Sequence, residues 1–397
     1  MRGLGRLWLG LSLVLLSFTG AARAQDAVEI RIGYLGQERD RPALLANLEV
    51  PPEDEGLQGA RLAIADNNTT GRFMKQAYML EEALLGLGED PVPALQALLD
   101  QGLTFIVLDL EADALDAVRA HPAAQSGDVL LFNAGAADSR FRNADCAPAI
   151  IHTSASRAML ADALGQLLIS KRWREWFLVV GPRPGDALYA EAIKRTANRF
   201  GAEIVEEKPW SDEAADIRRS ARREIPVFTQ GEDYDILLMA DEVGDYGDFF
   251  PYQTWRPRPV GGTTGLTPRT WHKVVEAWAG IQLQQRFREQ ANRPMTDRDY
   301  AAWLGARIVG EAATLAGTDP ATVIAKIRDP GFSFAGFKGK PLSIRAWNGQ
   351  VRQPIPVVWE RALVAMAPIE GFLHPVNPTD SLGQDEAEVS CKWEIQE

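Results

Sequence analysis

The segment His152–Val180, HTSASRAMLADALGQLLISKRWREWFLVV, decides how the chain is organised. It opens on small and hydroxyl-bearing residues and continues as an amphipathic helix with Ser156 as the expected N-cap. It then ends in the apolar run EWFLVV, the mark of a buried strand. A strand–helix alternation leads up to it, and a second alternation leads away from it. One series of βαβ units therefore stops at His152–Ser156 and another begins. The fold class that follows is α/β: two doubly wound parallel-sheet lobes joined by a hinge, with a ligand cleft between them.

Upstream, VEIRIGYL (Val28–Leu35) reads as a strand, followed by a helix from Leu57 that Asn68 and Gly71 are expected to stop. Strands are expected near Tyr78–Glu82, over TFIVLDL and at Val129–Ala136, with helices over PVPALQALLDQG and from Asp113. Downstream come EWFLVVGP, a helix GDALYAEAIKRTANRFG, AEIVEEK, a charged helix through Arg223, YDILLMADE and RPVGGTTG. Helices are expected over Pro268–Gln290 and Thr296–Ala316, the second opened by a Thr296/Asp299 capping box. PLSIRAWNGQVRQPIPVVW reads as two strands turning at Asn348-Gly349. The expected division is a leader at 1–24, an N-terminal lobe at 25–152 and a C-terminal lobe at 153–290. Residues 291–345 would return to the first lobe and the hinge, and 346–397 would supply terminal strands and tail.

Arg2 and Arg6, the apolar run Leu7–Phe18 and the small-x-small site Ala22-Arg23-Ala24 form a secretory leader. The run is too short to span a bilayer, and no lipid-anchor Cys follows, so a periplasmic protein without membrane insertion is expected. The chain carries 54 Asp plus Glu against 42 Lys plus Arg, a net charge of −12. Loss of Arg2, Arg6 and Arg23 with the leader would deepen it by three charges. Such a field argues against nucleic acid and anionic membranes as partners. Against it, Tyr252–His272 (YQTWRPRPVGGTTGLTPRTWH) has no carboxylate and several arginines and tryptophans. Cys146 and Cys391 are the two cysteines; an even pair in an oxidising compartment suggests a disulfide, two free thiols being the alternative. No metal site is expected, because His121, His152, His272 and His374 are scattered without ligand spacing.

Catalytic signatures are missing: no nucleophile elbow, zinc-protease helix, phosphate loop or dinucleotide fingerprint occurs. No catalytic residue and no catalytic cofactor is therefore expected, and the chain reads as a binder rather than an enzyme. In open parallel sheets the ligand crevice lies beyond the carboxyl ends of the strands. With two lobes it falls between them and closes by a hinge.

IRIGYLG, GLQGARLAIADNNTTG, the His152–Val180 segment and GKPLSIRAWNGQVRQPIPVV together resemble the branched-chain amino-acid type of periplasmic binding protein. RNADCAPAIIHTSASRAMLADAL, YDILLMADE, the Tyr252–His272 stretch, FAGFKGKPLSIRAWNGQVRQPI and EGFLHP resemble a narrower subfamily, associated with alcohol dehydrogenases that use pyrroloquinoline quinone (PQQ). That resemblance implies a monomeric receptor for an ABC permease, with PQQ or a linked compound as ligand and a PQQ-dependent dehydrogenase as a further partner. The alternatives are an accessory protein that hands the cofactor to the dehydrogenase, or the same fold binding another small carboxylate. The loops DLEAD and NAGA lack the hydroxyls of amino-acid-binding relatives, which argues against an ordinary α-amino acid.

PQQ is a flat aromatic quinone with three carboxylates, so its site calls for aromatic faces and guanidinium forks. Thr263 and Thr264 follow the strand RPV and are expected at the crevice, with Trp271 in the first turn of the next helix. Trp255 and Arg256 precede that strand and are weaker candidates. Gln37, Asn133 and Arg140 are the candidates from the first lobe, and Arg183 follows a strand of the second. Tyr300 is a candidate aromatic wall.

Overall fold

The computed structural model describes residues 27–40, 51–211, 217–244 and 246–393; the expected leader lies outside them. The first lobe is built on β1 (Val28–Gln37), β2 (Gln76–Leu85), β3 (Phe105–Asp109), β4 (Leu130–Asn133) and β5 (Ile150–His152). All pair in parallel, in the order β2-β1-β3-β4-β5. Their crossovers are α1 (Leu57–Met74), α2 (Pro91–Asp100), α3 (Ala112–Ala120) and the short α4 (Pro122–Gln125). Alternate strand residues serve opposite faces. Ile32, Val107 and Phe132 join the core under α1, whereas Ile106, Leu108 and Leu131 pack with Leu95, Leu98 and Leu115 of α2 and α3. A strand covered on both sides is apolar throughout, which is why TFIVLDL stands out.

The second lobe repeats the plan with α5 (Arg157–Ser170), β6 (Glu175–Val180), α6 (Pro184–Phe200), β7 (Glu203–Pro209), α7 (Ile217–Phe228), β8 (Ile236–Ala240) and β9 (Val260–Gly262). Its sheet is parallel, in the order β7-β6-β8-β9. Ser156 caps α5, as expected, by accepting from the Met159 N–H at 3.2 Å. After β10 (Thr267–Pro268) the chain returns to the first lobe with α8 (Gly280–Ala291), α9 (Asp297–Ala316) and α10 (Pro320–Arg328). There α9 lies along α1. The pair β11 (Ser343–Ile344) and β12 (Val351–Arg352) follows, then β13 (Ile355–Trp359) and β14 (Ala362–Ala367). β13 lies between β10 and β14 in an antiparallel ribbon that packs on α5.

Three segments thus pass between the lobes: 153–156, 269–279 and 353–354. One buried side chain ties them together. The Lys338 amine donates to the Thr270 carbonyl and, at 2.6 Å, to Gln353 Oε1. The Gln353 amide in turn donates to the Thr153 carbonyl at 2.9 Å. Lys338 also sits over the Tyr300 ring, 4.6 Å from its centre. Burial pushes its amine down to about 7 against a partial pull upward from Asp297.

The tail is pinned to the first lobe. Cys146 and Cys391 form a disulfide with their Cα atoms 5.7 Å apart. Beside it the Trp393 indole donates to the Ile150 carbonyl at 2.9 Å. No helix among the described residues is long and apolar enough to cross a membrane.

Several local expectations need correction. α1 runs past Asn68 and Gly71 to Met74, because the Asn68 amide pairs with both backbone groups of Tyr78 and stays helical. The helix expected over Pro268–Gln290 begins at Gly280. Residues 269–279 are instead an irregular crossing, in which Asp297 holds the Trp271 N–H and Trp278 and Ala279 adopt positive φ. Asn348-Gly349 does sit in a hairpin, with Gly349 at φ 67°. That hairpin is only two residue pairs long, however, and the downstream run IPVVW leaves it to pair with β14 and β10.

Candidate functional site

The order β2-β1-β3-β4-β5 reverses direction between β1 and β3, and β7-β6-β8-β9 reverses between β6 and β8. At such a switch point neighbouring crossovers leave on opposite faces, opening a crevice beyond the carboxyl ends of the two strands. In the first lobe that point is held by Asp109, the last residue of β3. Its carboxylate accepts Arg298 Nε at 3.0 Å, Arg298 Nη2 at 2.7 Å, the Tyr34 hydroxyl at 2.9 Å and Arg39 Nη2 at 3.2 Å. Burial alone would raise the Asp109 carboxyl. The two guanidiniums and these hydrogen bonds outweigh it and hold the group below the usual carboxylate range. The third Arg298 contact, Nη1 to Glu55 at 2.9 Å, turns that side chain inward.

In the second lobe the corresponding point lies between the loops after β6 and β8. Asp186, in the first turn of α6, accepts the Arg183 N–H at 3.1 Å and the Glu242 N–H at 2.8 Å, joining the two loops. Burial pushes its carboxyl up to about 6. Thr263, after β9, accepts from the Asp241 N–H at 3.0 Å and contacts the Met239 carbonyl.

One ion-pair cluster spans the crevice. Arg157 makes a two-bond fork to Glu242, with Nε and Nη2 each at 2.7 Å, and its Nη1 reaches Asp138 of the first lobe at 2.7 Å. Burial opposes the Arg157 charge, but its two carboxylates raise the group on balance. The two carboxyl edges therefore face each other, with charged groups on both.

The structure sorts the ten expected ligand contacts. Thr263 is half-buried and Thr264 buried at the end of β9, as their place after the strand suggests; the Thr264 hydroxyl is taken by Asp248 at 2.7 Å. Arg183 stands at the crevice end of β6 as the N-cap of α6. Gln37 ends β1, but its amide is turned to the Glu89 carbonyl at 2.7 Å. Asn133 is fully buried, accepting from the Gly135 and Ala136 N–H groups and contacting His152 Nδ1 at 3.0 Å, so it shapes the loop rather than lining it. Arg140 turns to Asp116 and Asp145 and lies over the Phe141 ring.

The aromatic candidates lie elsewhere. Trp271, 1% exposed, stacks on Tyr300, 0% exposed, with ring centres 4.8 Å apart inside the first-lobe core. The indole of Trp271 donates to Gln284 and the Tyr300 hydroxyl to the Gly336 carbonyl. Trp255 and Arg256 precede β9 and so fall at the opposite end of the sheet. There Trp255 N–H donates to Thr229 and Arg256 pairs with Asp233, just ahead of β8. Segment charge and aromatic content say nothing about which end of a strand a residue occupies.

The crevice groups Arg39, Asp109, Arg157, Glu242 and Arg298 were not among the expected contacts. Asp109 and Glu242 carried a signal, since both sit in strand-end loops, DLEAD and ADEVG. Arg298 carried none, because it reaches Asp109 across 189 positions.

No protein-family model and no curated protein matches the sequence. Solved structures do match the fold. A branched-chain amino acid ABC transporter periplasmic ligand-binding protein from Burkholderia xenovorans superimposes with a TM-score of 0.67 at 14% identity, covering 90% of this chain and 97% of that one. A periplasmic binding protein from Burkholderia mallei gives 0.64 at 16% identity, over 93% and 100%. An ABC transporter solute-binding protein from R. palustris in complex with benzoate gives 0.62 at 13% identity, over 92% and 99%. The two-lobed fold is thus that of type I periplasmic binding proteins.

Proposed function

We propose that the protein is a periplasmic solute-binding protein that closes its lobes around a small organic carboxylate and presents it to an ABC permease. The observation that carries this reading is the pairing of two switch points across one crevice, joined by three crossing segments. Such an arrangement encloses a solute by rotation and offers no nucleophile–base pair among the groups described above. The structural likeness to the benzoate-bound protein from R. palustris supports a carboxylate as solute class. PQQ is the finer reading, and its support is the sequence resemblance. With Trp271 and Tyr300 in the core, the stacking expected of them is not available to it.

The test is calorimetric titration of the mature protein with benzoate, 3,4-dihydroxybenzoate, PQQ and leucine, with small-angle scattering on each mixture. The expected result is micromolar or tighter binding of at least one carboxylate, with a fall in the radius of gyration. Absence of both heat and compaction with every solute overturns the reading.

A further inference from the structure

We infer that Arg39 is the residue that reads the solute, and that the solute class is a singly charged organic acid engaged through its carboxylate. This rests on the solute-binding reading and names the group that would decide specificity within it.

The argument is a census of donors and acceptors at the first-lobe switch point. A carboxylate offers about four acceptor sites. Asp109 has all four occupied, by Arg298 twice, Tyr34 and Arg39. Arg298 is equally committed, with Nε and Nη2 on Asp109 and Nη1 on Glu55. Arg39 is different. Of its five N–H donors, the single Nη2 contact to Asp109 is the hydrogen bond it makes among the described residues. Its Nε is buried and has no hydrogen-bond partner. Glu111 comes only within 3.9 Å, too far for a hydrogen bond, and is 55% exposed. A buried charged donor without an acceptor is costly, and a ligand oxygen removes that cost.

Position agrees with the census. Arg39 leaves β1 just past its carboxyl end and lies across the loops that follow β3 and β4. A Cβ on Gly135 would come within 2.8 Å of Arg39 Nη2 and 2.3 Å of the Leu110 carbonyl, so glycine there gives the guanidinium its room. The side chain is 22% exposed, so part of it remains accessible.

The surroundings set the charge of the ligand. Two guanidiniums face Asp109 and Glu55 in the first lobe, while Glu111, Asp138 and Glu242 lie further along the crevice edge. One planar carboxylate matches one guanidinium fork. A second or third negative charge, as on phosphate or PQQ, would meet these acids, and the cation between Asp138 and Glu242, Arg157, is already held by both of them. A benzoate-like monoanion therefore fits better than a trianion.

The experiment compares the wild type with Arg39→Met, Arg39→Lys and, as a control at the far end of the second sheet, Trp255→Ala. Each is titrated with benzoate, 3,4-dihydroxybenzoate, benzamide, inorganic phosphate and PQQ, and circular dichroism checks folding. The expected result is monocarboxylate binding by the wild type without benzamide or phosphate binding. Arg39→Met should weaken it at least about tenfold, the scale of a charged hydrogen bond. Arg39→Lys should retain part of it and Trp255→Ala all of it. Equal carboxylate affinity in Arg39→Met, or benzamide binding as well as benzoate, overturns the role of Arg39. Compaction on solute addition in both proteins then leaves the solute-binding reading standing. Absence of heat and compaction in the wild type with every solute overturns both.

Discussion

At the residue scale, the groups that face the crevice are held by neighbours that never reach it, and His152 shows how. Burial and the nearby Arg142 charge hold its ring well below its ordinary value, so it is neutral in the folded state. Neutral, it contacts Asn133 through Nδ1 at 3.0 Å and the Phe141 carbonyl through Nε2 at 3.1 Å. In the unfolded chain it takes up a proton below about pH 6.5. The unfolded state then binds the extra proton, so stability falls as pH drops below that point. The expected slope is about 1.4 kcal/mol per pH unit from this group. Urea unfolding from pH 7 to 5 should show it, and His152→Gln should flatten it. Chemistry at this scale was only partly legible. Thr263 and Thr264 lie just past the carboxyl end of β9, where they were expected, because a strand end fixes a loop. Arg39 and Arg298 were not expected, because their meaning depends on Asp109, which lies 70 and 189 positions away. Trp271 and Tyr300 misled because an aromatic that stacks on a ligand and one that stacks in a core look alike in sequence.

At the scale of elements, the alternation of apolar runs reads well because the central strands β3, β4 and β8 are buried at every residue, while helices such as α2 and α3 bury one face. What that alternation leaves out is how closely elements meet. α1 and α9 run side by side in near contact: a Cβ on Gly59 would lie 1.8 Å from the Asp299 carbonyl oxygen, a backbone atom that has little room to give. Gly59→Ala should push α9 away from α1 and cost about 1–3 kcal/mol, the usual range for overpacking. Chemical denaturation checks it, and an unchanged midpoint would show that the helices part easily. The same limit explains the missed start of α8. The stretch 269–279 contains helix-forming residues. However, Asp297 captures the Trp271 N–H and the indole is buried against Tyr300, so long-range contacts fix it as an irregular crossing.

At the scale of the molecule, the disulfide closes a span of 245 residues and fastens the tail to the first lobe. Replacing both cysteines by serine should cost roughly 2–4 kcal/mol in urea unfolding. The Trp393 indole on Ile150 and the Arg328 guanidinium over its ring should keep the tail docked. An unchanged midpoint would mean that these contacts alone suffice. The tie through Lys338 bears on how the lobes can move. Three separate links between two bodies would ordinarily allow them to slide, shear and twist as well as open. With Thr270, Gln353 and Thr153 gathered on one amine, a shift in any link must carry the other two with it. Such a tie favours turning about one point, like covers on a common spine, and on the solute-binding reading a solute held by one cover would be met by the other in the same alignment each time.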